Sequence, residues 1–354
     1  MPEPVEVMLE VQPAARFDLI DVREQAAERG WALDAYPQAL YSSFHTTAGY
    51  FEQGLAARLR AARLGLEPYV HLFQRLFPEG AGYRHDDLDH RLELSDGQRA
   101  TEPRNADAHL AFIASGMSSC VRYVNRPNEP VYFVELDGVS GAGARRRLTS
   151  IVGFHDEELV AQELIAVPMS THPIDSLNLK DPRVGLYPRV QELIERHGIA
   201  KGRVRLALAH GERHAALTIN EYETLLMRRD LVRVLRNPLR YVAEKGRDLL
   251  AEPWSIPNRT IDYAKYDFVR VCNRVFDAFR MSESIMERAF ARVMAVPARR
   301  FLRMKRSVSL LVTDRGQNGQ GALAEGTYQC PILLQWARAD GRRRMLEVTL
   351  TRLR

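Results

Sequence analysis

Cysteine is scarce in this chain of 354 residues: Cys120, Cys272 and Cys330 stand far apart, odd in number and without Cys-x-x-Cys spacing. That excludes a disulfide framework and a thiolate zinc site as organising features. No apolar run approaches the roughly 20 residues needed to cross a bilayer, so no membrane partner is expected. The acidic start Met1, Pro2, Glu3, Pro4, Val5, Glu6 is unlike the basic start of a secretory signal, and a cytoplasmic location is the expectation. Lysine is scarce too; only Lys180, Lys201, Lys245, Lys265 and Lys305 occur, and arginine carries the net charge of +5. The arginine runs at 145–147 and 342–344 are short and each leads into alternating apolar residues, so nucleic acid is not an expected partner. No Gly-x-Ser-x-Gly elbow marks a serine hydrolase.

What is present is 45% apolar and 27% charged residues, enough to bury substantial cores, in a length that suits two domains. Asp21-Val22-Arg23-Glu24 has the form of a capping box before a short helix closed by Gly30. Leu40 to Phe44 reads as a strand, and Leu55, Leu59 and Ala62 share one face of a helix predicted to run to about Leu66. Asn105 is placed to cap a helix that Gly116 ends, with His109, Phe112 and Ile113 on its inward face. Val131 to Leu136 and Arg147 to Phe154 read as two strands of a closing hairpin around a turn-rich Asp137-Gly138.

From about Asp175 the same signals recur. Val190, Leu193 and Ile194 precede Gly198, Val204 to Leu208 alternates, and Pro331 to Trp336, Asp340-Gly341, three arginines and Leu346 to Leu350 repeat the hairpin pattern. The reading is an α+β chain of two tandem copies, residues 1–157 and 158–354, the second with a helical insertion at about 224–303.

Most of the ten histidines lie in the first half, and His45, His85 and His109 each sit at the edge of a predicted element. Three neutral imidazoles plus water would make an open zinc coordination sphere. The plainer alternative is that they are ordinary hydrogen-bonded or solvated side chains.

These histidines belong to longer motifs. His45-Thr46-Thr47-Ala48-Gly49, Tyr83-Arg84-His85-Asp86, Asn105-Ala106-Asp107-Ala108-His109 and Phe133-Val134-Glu135-Leu136-Asp137-Gly138, in that order, resemble the motifs of the YjbQ-like family, also described as secondary thiamine-phosphate synthase. The second half resembles the same family at Glu195-Arg196-His197-Gly198, at Leu217-Thr218-Ile219-Asn220-Glu221 and at Gly326-Thr327-Tyr328-Gln329. It departs where Glu212 stands at the place matching His45 and where no counterparts of His85 and His109 are evident. The spacing from His85 to Asn105 leaves His90 as an alternative second ligand.

The resemblance implies a metal-dependent enzyme acting on a small phosphorylated or anionic substrate, either a transferase of the thiamine-phosphate-synthase kind or a hydrolase or lyase. It implies a divalent metal, zinc first, on His45, His85 and His109. Glu52, Asp86 and Asn105 are the catalytic candidates. Thr46, Thr47, Arg145, Arg147, Thr327 and Gln329 are the substrate-binding candidates. It further implies a homo-oligomer, specifically a trimer with sites near subunit boundaries. The alternative is a non-catalytic or regulatory assembly protein that presents the arginine-rich insertion, including Arg228-Arg229, to a partner.

Overall fold

A computed structural model describes residues 3–31, 33–61, 65–91, 94–140, 143–236, 303–314 and 319–354. Most of the expected insertion at 224–303 lies outside the described residues. In the first half the order is β1 (Val5–Val11), β2 (Asp18–Asp21), α1 (Val22–Glu28), β3 (Gln38–Ser43), β4 (Ala48–Gly49), α2 (Gln53–Ala61), α3 (Leu66–Leu76), α4 (Asp96–Thr101), α5 (Ala106–Ser115), β5 (Cys120–Val124), β6 (Tyr132–Glu135), β7 (Val139–Ser140), β8 (Gly143–Ala144) and β9 (Arg147–Phe154). The second half holds β10 (Glu157–Pro168), β11 (Asp175–Asn178), α6 (Leu186–Arg196), β12 (Gly202–Leu208), β13 (Ala215–Asn220), a π-helical turn (Leu226–Asp230) continuing into α7 (Leu231–Arg236), β14 (Ser307–Thr313), β15 (Ala322–Ala324), β16 (Cys330–Gln335) and β17 (Arg343–Leu353).

The chain is α+β, and its main sheets are antiparallel. The first half forms a sheet of order β1-β9-β3-β5 and another of order β2-β6-β4; the second forms β10-β17-β12-β14-β15 and β11-β16-β13. Taken in chain order, each half runs its first, last, third and fifth principal strands side by side in one sheet. The second, sixth and fourth lie side by side in the other. The registers agree as well: Glu135 faces Asp18 and Ala48, while Gln335 faces Asp175 and Ala215.

The expected hairpins are not formed. β6 pairs with β2 and β4, whereas β9 pairs with β1 and β3, and β16 and β17 are separated in the same way. Phe133, Val134 and Glu135 are consecutive and all buried, as are Thr149 to Phe154 apart from none of their number. Such runs need neighbours on both edges, so each becomes the central strand of its own sheet. The chain crosses between the sheets through the small β7–β8 ribbon.

Two further elements went unread. The helix expected to reach Leu66 ends within α2, and Gly65, at φ 69°, precedes a new helix whose Leu66, Tyr69, Val70, Phe73 and Leu76 form a buried stripe. β10 carries polar and apolar residues on a half-exposed strand and gave no clean alternation.

The halves share cores. α2, α3 and α5 bury their apolar faces together with Leu226, Met227, Leu231, Val234 and Leu235 from the π turn and α7, and with Ile332 and Leu334 from β16. Leu40, Cys120, Val152 and Phe154 meet Leu311, Ala324 and Leu353 in another joint cluster. Every residue of α5 is buried, so the polar groups it carries lie inside the protein where unpaired groups are expensive.

Candidate metal centre

α5 fixes the site. Its first amide, that of Ala106, donates to Asp86 Oδ1 at 3.0 Å, so a carboxylate from the preceding loop satisfies one of the free N–H groups at the helix start. Asn105, expected as the cap, makes no side-chain capping bond and instead donates from Nδ2 to Asp137 Oδ2 at 2.7 Å. Asp86 Oδ1 also lies 3.0 Å from His85 Nδ1. A carboxylate accepts, so Nδ1 carries a proton towards Asp86, and Nε2, the atom left to face the site, is buried and without a hydrogen-bond partner. The loop itself is held from below: Asp230 accepts the amides of Arg84 and His85 at 3.1 and 3.0 Å.

His109, one turn into α5, is fixed from the second half. Its Nδ1 lies 2.7 Å from Asn220 Oδ1, at the end of β13. The amide of Glu221 donates to that same oxygen at 3.0 Å, and Asn220 Nδ2 donates to Thr46 O at 2.8 Å. These partners assign Oδ1 as the acceptor, so His109 Nδ1 donates and the lone pair is on Nε2. Nε2 stands 3.7 Å from Glu221 Oε2. The two imidazole rings have centroids 5.3 Å apart, and ligand atoms of His85, His109 and Glu221 all lie within 4.8 Å of one another.

Burial, then the neighbouring His85, holds the His109 ring well below its ordinary pKa, and burial raises that of the Glu221 carboxyl. Two imidazole rings and a carboxyl group thus converge. Arg91, buried, reaches Glu221 Oε1 only at 3.8 Å and is committed to Glu102 at 2.9 Å. Around the same place lie further buried atoms without hydrogen bonds: Asp86 Oδ2, Asn105 Oδ1 and Arg145 Nε. Arg145 pairs with Asp137 Oδ2 at 2.7 Å, so Asp137 ties it to Asn105.

The structure brings His85 and His109 together and places His45 in another network. The amide of Leu148 donates to His45 Nε2 at 2.7 Å, and Arg147 Nη1 lies 3.4 Å from Nδ1. Burial, with Arg147 and Arg145 nearby, pushes this ring down to about 3. The matching place in the second half holds Glu212, whose Oε1 accepts the amide of Met345 at 2.7 Å while Arg344 donates to Oε2 at 2.8 Å. His90 is exposed and faces Asp87 at 2.9 Å.

Among the other expected residues, Arg147 is buried in an ion pair with Glu135 and donates to Thr47 Oγ1 at 3.1 Å. Thr46 contributes its carbonyl to Asn220. Glu52 faces Ser118 at 3.4 Å and Lys305 at 3.9 Å, outside the three-residue group. Thr327 is exposed. Gln329 donates from Nε2 to Ser43 O and His45 O at 2.9 and 2.8 Å and accepts from the Gly326 amide, which clamps the His45 loop to the second half. At Gly326 a Cβ would stand 1.9 Å from Phe44 O, so only glycine admits this approach without displacement.

Glu221 and Asn220 are the residues that sequence reasoning left out of the site. Their signal in the sequence is the segment Leu217-Thr218-Ile219-Asn220-Glu221, which carries a family motif but no histidine.

No family model and no curated protein matches the chain. Among solved structures it is similar to a YbjQ-like protein of unknown function from Sulfolobus solfataricus P2, at 16% identity over 56% of this chain and 99% of the other, with a TM-score of 0.28. It is also similar to a hypothetical protein from Aeropyrum pernix K1, at 15% identity over 53% and 96%, with a TM-score of 0.28. A third is an uncharacterized conserved protein of the yjbq/upf0047 family from Clostridium acetobutylicum, at 15% identity over 53% and 98%, with a TM-score of 0.24.

Proposed function

We propose that this chain is a metal-dependent enzyme of YjbQ-like build, acting on a small phosphorylated or anionic metabolite at a centre made jointly by two duplicated copies of one domain. One observation carries the metal: ligand atoms of His85, His109 and Glu221 lie within 4.8 Å of one another, and the buried Nε2 of His85 among them has no hydrogen-bond partner. A cation bound there would engage all three side chains and satisfy the unpartnered buried nitrogen. Two imidazoles and a carboxylate suit zinc, which ordinarily leaves a further position open for water or substrate in such a set. A bound divalent ion would supply Lewis-acid polarisation of a substrate oxygen or a lowered pKa of water.

This chain's residues do the rest. Asp86 and Asn220 orient the two rings by holding their Nδ1 protons, the usual outer support of imidazole ligands. Asp86 Oδ2 and Asn105 Oδ1 are positioned to accept, and Arg145 Nε to donate, so an anionic group would be drawn towards Arg145. His45 is left out of this ligand set because its Nε2 already accepts the Leu148 amide.

The matched strand orders of the halves support duplication, and the boundary that the family resemblance places between subunits then runs between the copies. Formation of thiamine phosphate from a pyrimidine diphosphate and a thiazole phosphate is the reaction to assay first. The test of the centre is elemental analysis of purified protein. One equivalent of a transition metal per chain is expected, lost in both His85→Ala and His109→Ala; metal retained by these variants, or absent from the parent, refutes the proposal.

A further inference from the structure

The π-helical turn and α7 divide sharply by face. Leu226, Met227, Leu231, Val234 and Leu235 are buried in the shared core, and the outward positions are Arg228, Arg229, Arg233 and Arg236. With Arg84 and Val232 these arginines line a cavity of about 470 Å³. Asp230 is the only acid in the segment Leu226–Arg236, and it is buried, with its oxygens given to the amides of Arg84 and His85. Arg84 reaches the carboxylate of Asp87 only at 3.7 Å. Among the described residues, Arg228, Arg229 and Arg236 have no carboxylate partner.

Arg228, Arg229 and Arg236 share one hollow with Arg84 and Arg233, and the mutual repulsion of like charges so gathered is eased when an anion enters. Their planar forks match phosphate oxygens, which they bind in pairs. The volume falls in the range of small-molecule sites. A hollow of this volume suits a compact ligand better than an extended polymer, whose backbone calls for a longer basic stripe.

We infer that this cavity binds a small, multiply phosphorylated anion, of the triphosphate class, at a site separate from the proposed metal centre. The inference stands without that centre, because it rests on other side chains; the two adjoin where Arg84 precedes His85 and Asp230 accepts the amides of both.

The experiment is calorimetric titration of the full chain with inorganic tripolyphosphate at low and at physiological salt. The parent is compared with Arg228→Gln/Arg229→Gln and with Arg233→Gln/Arg236→Gln, whose circular dichroism should match it because the changes are on the surface. Arg183→Gln, at an exposed arginine elsewhere, serves as control. Saturable binding is expected, weakened about tenfold or more in each double variant and unchanged in the control, with affinity falling as salt rises. Equal affinity in the double variants, or no saturable binding at low salt, overturns the inference. So does arginine-dependent binding of a single-stranded RNA oligonucleotide without binding of tripolyphosphate, which would assign the face to nucleic acid.

Discussion

Replacing Glu221 by glutamine should have opposite consequences in the metal-free and metal-loaded protein. Without metal, the Glu221 carboxylate faces the His109 Nε2 lone pair at 3.7 Å in a buried setting that raises its pKa. A glutamine amide in its place offers an N–H to that lone pair, and a net hydrogen bond of this kind is worth about 1 kcal/mol. Arg91 keeps its bond to Glu102 at 2.9 Å, so removing the charge orphans nothing else. The chelated variant should therefore be more stable than the parent by about 1 kcal/mol. With metal at a hundredfold excess over its dissociation constant, the parent gains about 2.7 kcal/mol, and a variant whose affinity is roughly a hundredfold weaker gains about 0.4 kcal/mol. The order of stability then inverts, the parent leading by about 1 kcal/mol. Urea denaturation of chelator-treated protein with and without cobalt(II) reads both states, and the cobalt absorption band reports the ligand set directly. A glutamine variant less stable than the parent without metal would refute the claim that His109 Nε2 and the Glu221 carboxylate face each other as two acceptors. Equal stabilisation of both proteins by cobalt would place the ion elsewhere.

Asp86→Ala removes both the acceptor for the Ala106 amide and the orienting partner of His85, so a loss of about 1–2 kcal/mol and a 10- to 100-fold drop in metal affinity, roughly, are expected together; unchanged affinity in a chelator competition would refute the orienting role. His45 is held at about 3, below its ordinary 6.5. A base depressed in the native state leaves stability intact above the unfolded pKa and loses it as pH falls from there towards the folded one. Between about pH 7 and pH 5 this group's share of the loss is about 2 kcal/mol. His45→Gln keeps an acceptor for the Leu148 amide and cannot titrate, so its denaturation midpoint should fall less over that interval; parallel curves would sink this assignment. Gln329→Ala unpairs two carbonyls and one amide and should cost about 2 kcal/mol, while Gly326→Ala, with its Cβ against Phe44 O, should cost at least about 1–3 kcal/mol, both read by thermal or urea denaturation. Either change landing within error of the parent would mean that the clamp on the His45 loop does not hold.

Much of the local structure was legible because single residues signal it. Asp21 accepts the amides of Arg23 and Glu24, Gly116 ends α5 in the left-handed region, and β12 follows the alternation read at Val204 to Leu208. Pairing was less legible. Two adjacent strands with a turn between them read as a hairpin, yet β6 and β9 lie in different sheets, since pairing partners are chosen by burial on both faces and no local pattern encodes that. The site shows the same division. His85 and His109 stood out by residue type, and the third member, Glu221, is an ordinary carboxylate until β13 brings it to them across more than a hundred residues of sequence. His45 stood out equally. Its ring lies against the Leu148 amide, a bond that only the approach of β9 creates.

The two halves are alike enough in register to explain why the centre occurs once among the described residues. Ala48 and Ala215 occupy matching places opposite Glu135 and Gln335. Five residues onward, the first half has Gln53 and the second has Asn220. β4 stops at Gly49 and the chain turns into α2 at Gln53, whereas β13 continues as a paired strand through Asn220, opposite Cys330. The extra length carries Asn220 and Glu221 to α5, where they meet His109. Conversely, the second half places Glu212 where the first has His45, and each accepts the amide that follows an arginine. That shared bond ties loop to strand at the corresponding place of each half, through an imidazole at position 45 and a carboxylate at position 212. The side chains differ between the halves while the backbone contact is the same. The first half carries the two histidines and the second the strand that brings Glu221 to them, so neither half holds the three-residue group by itself.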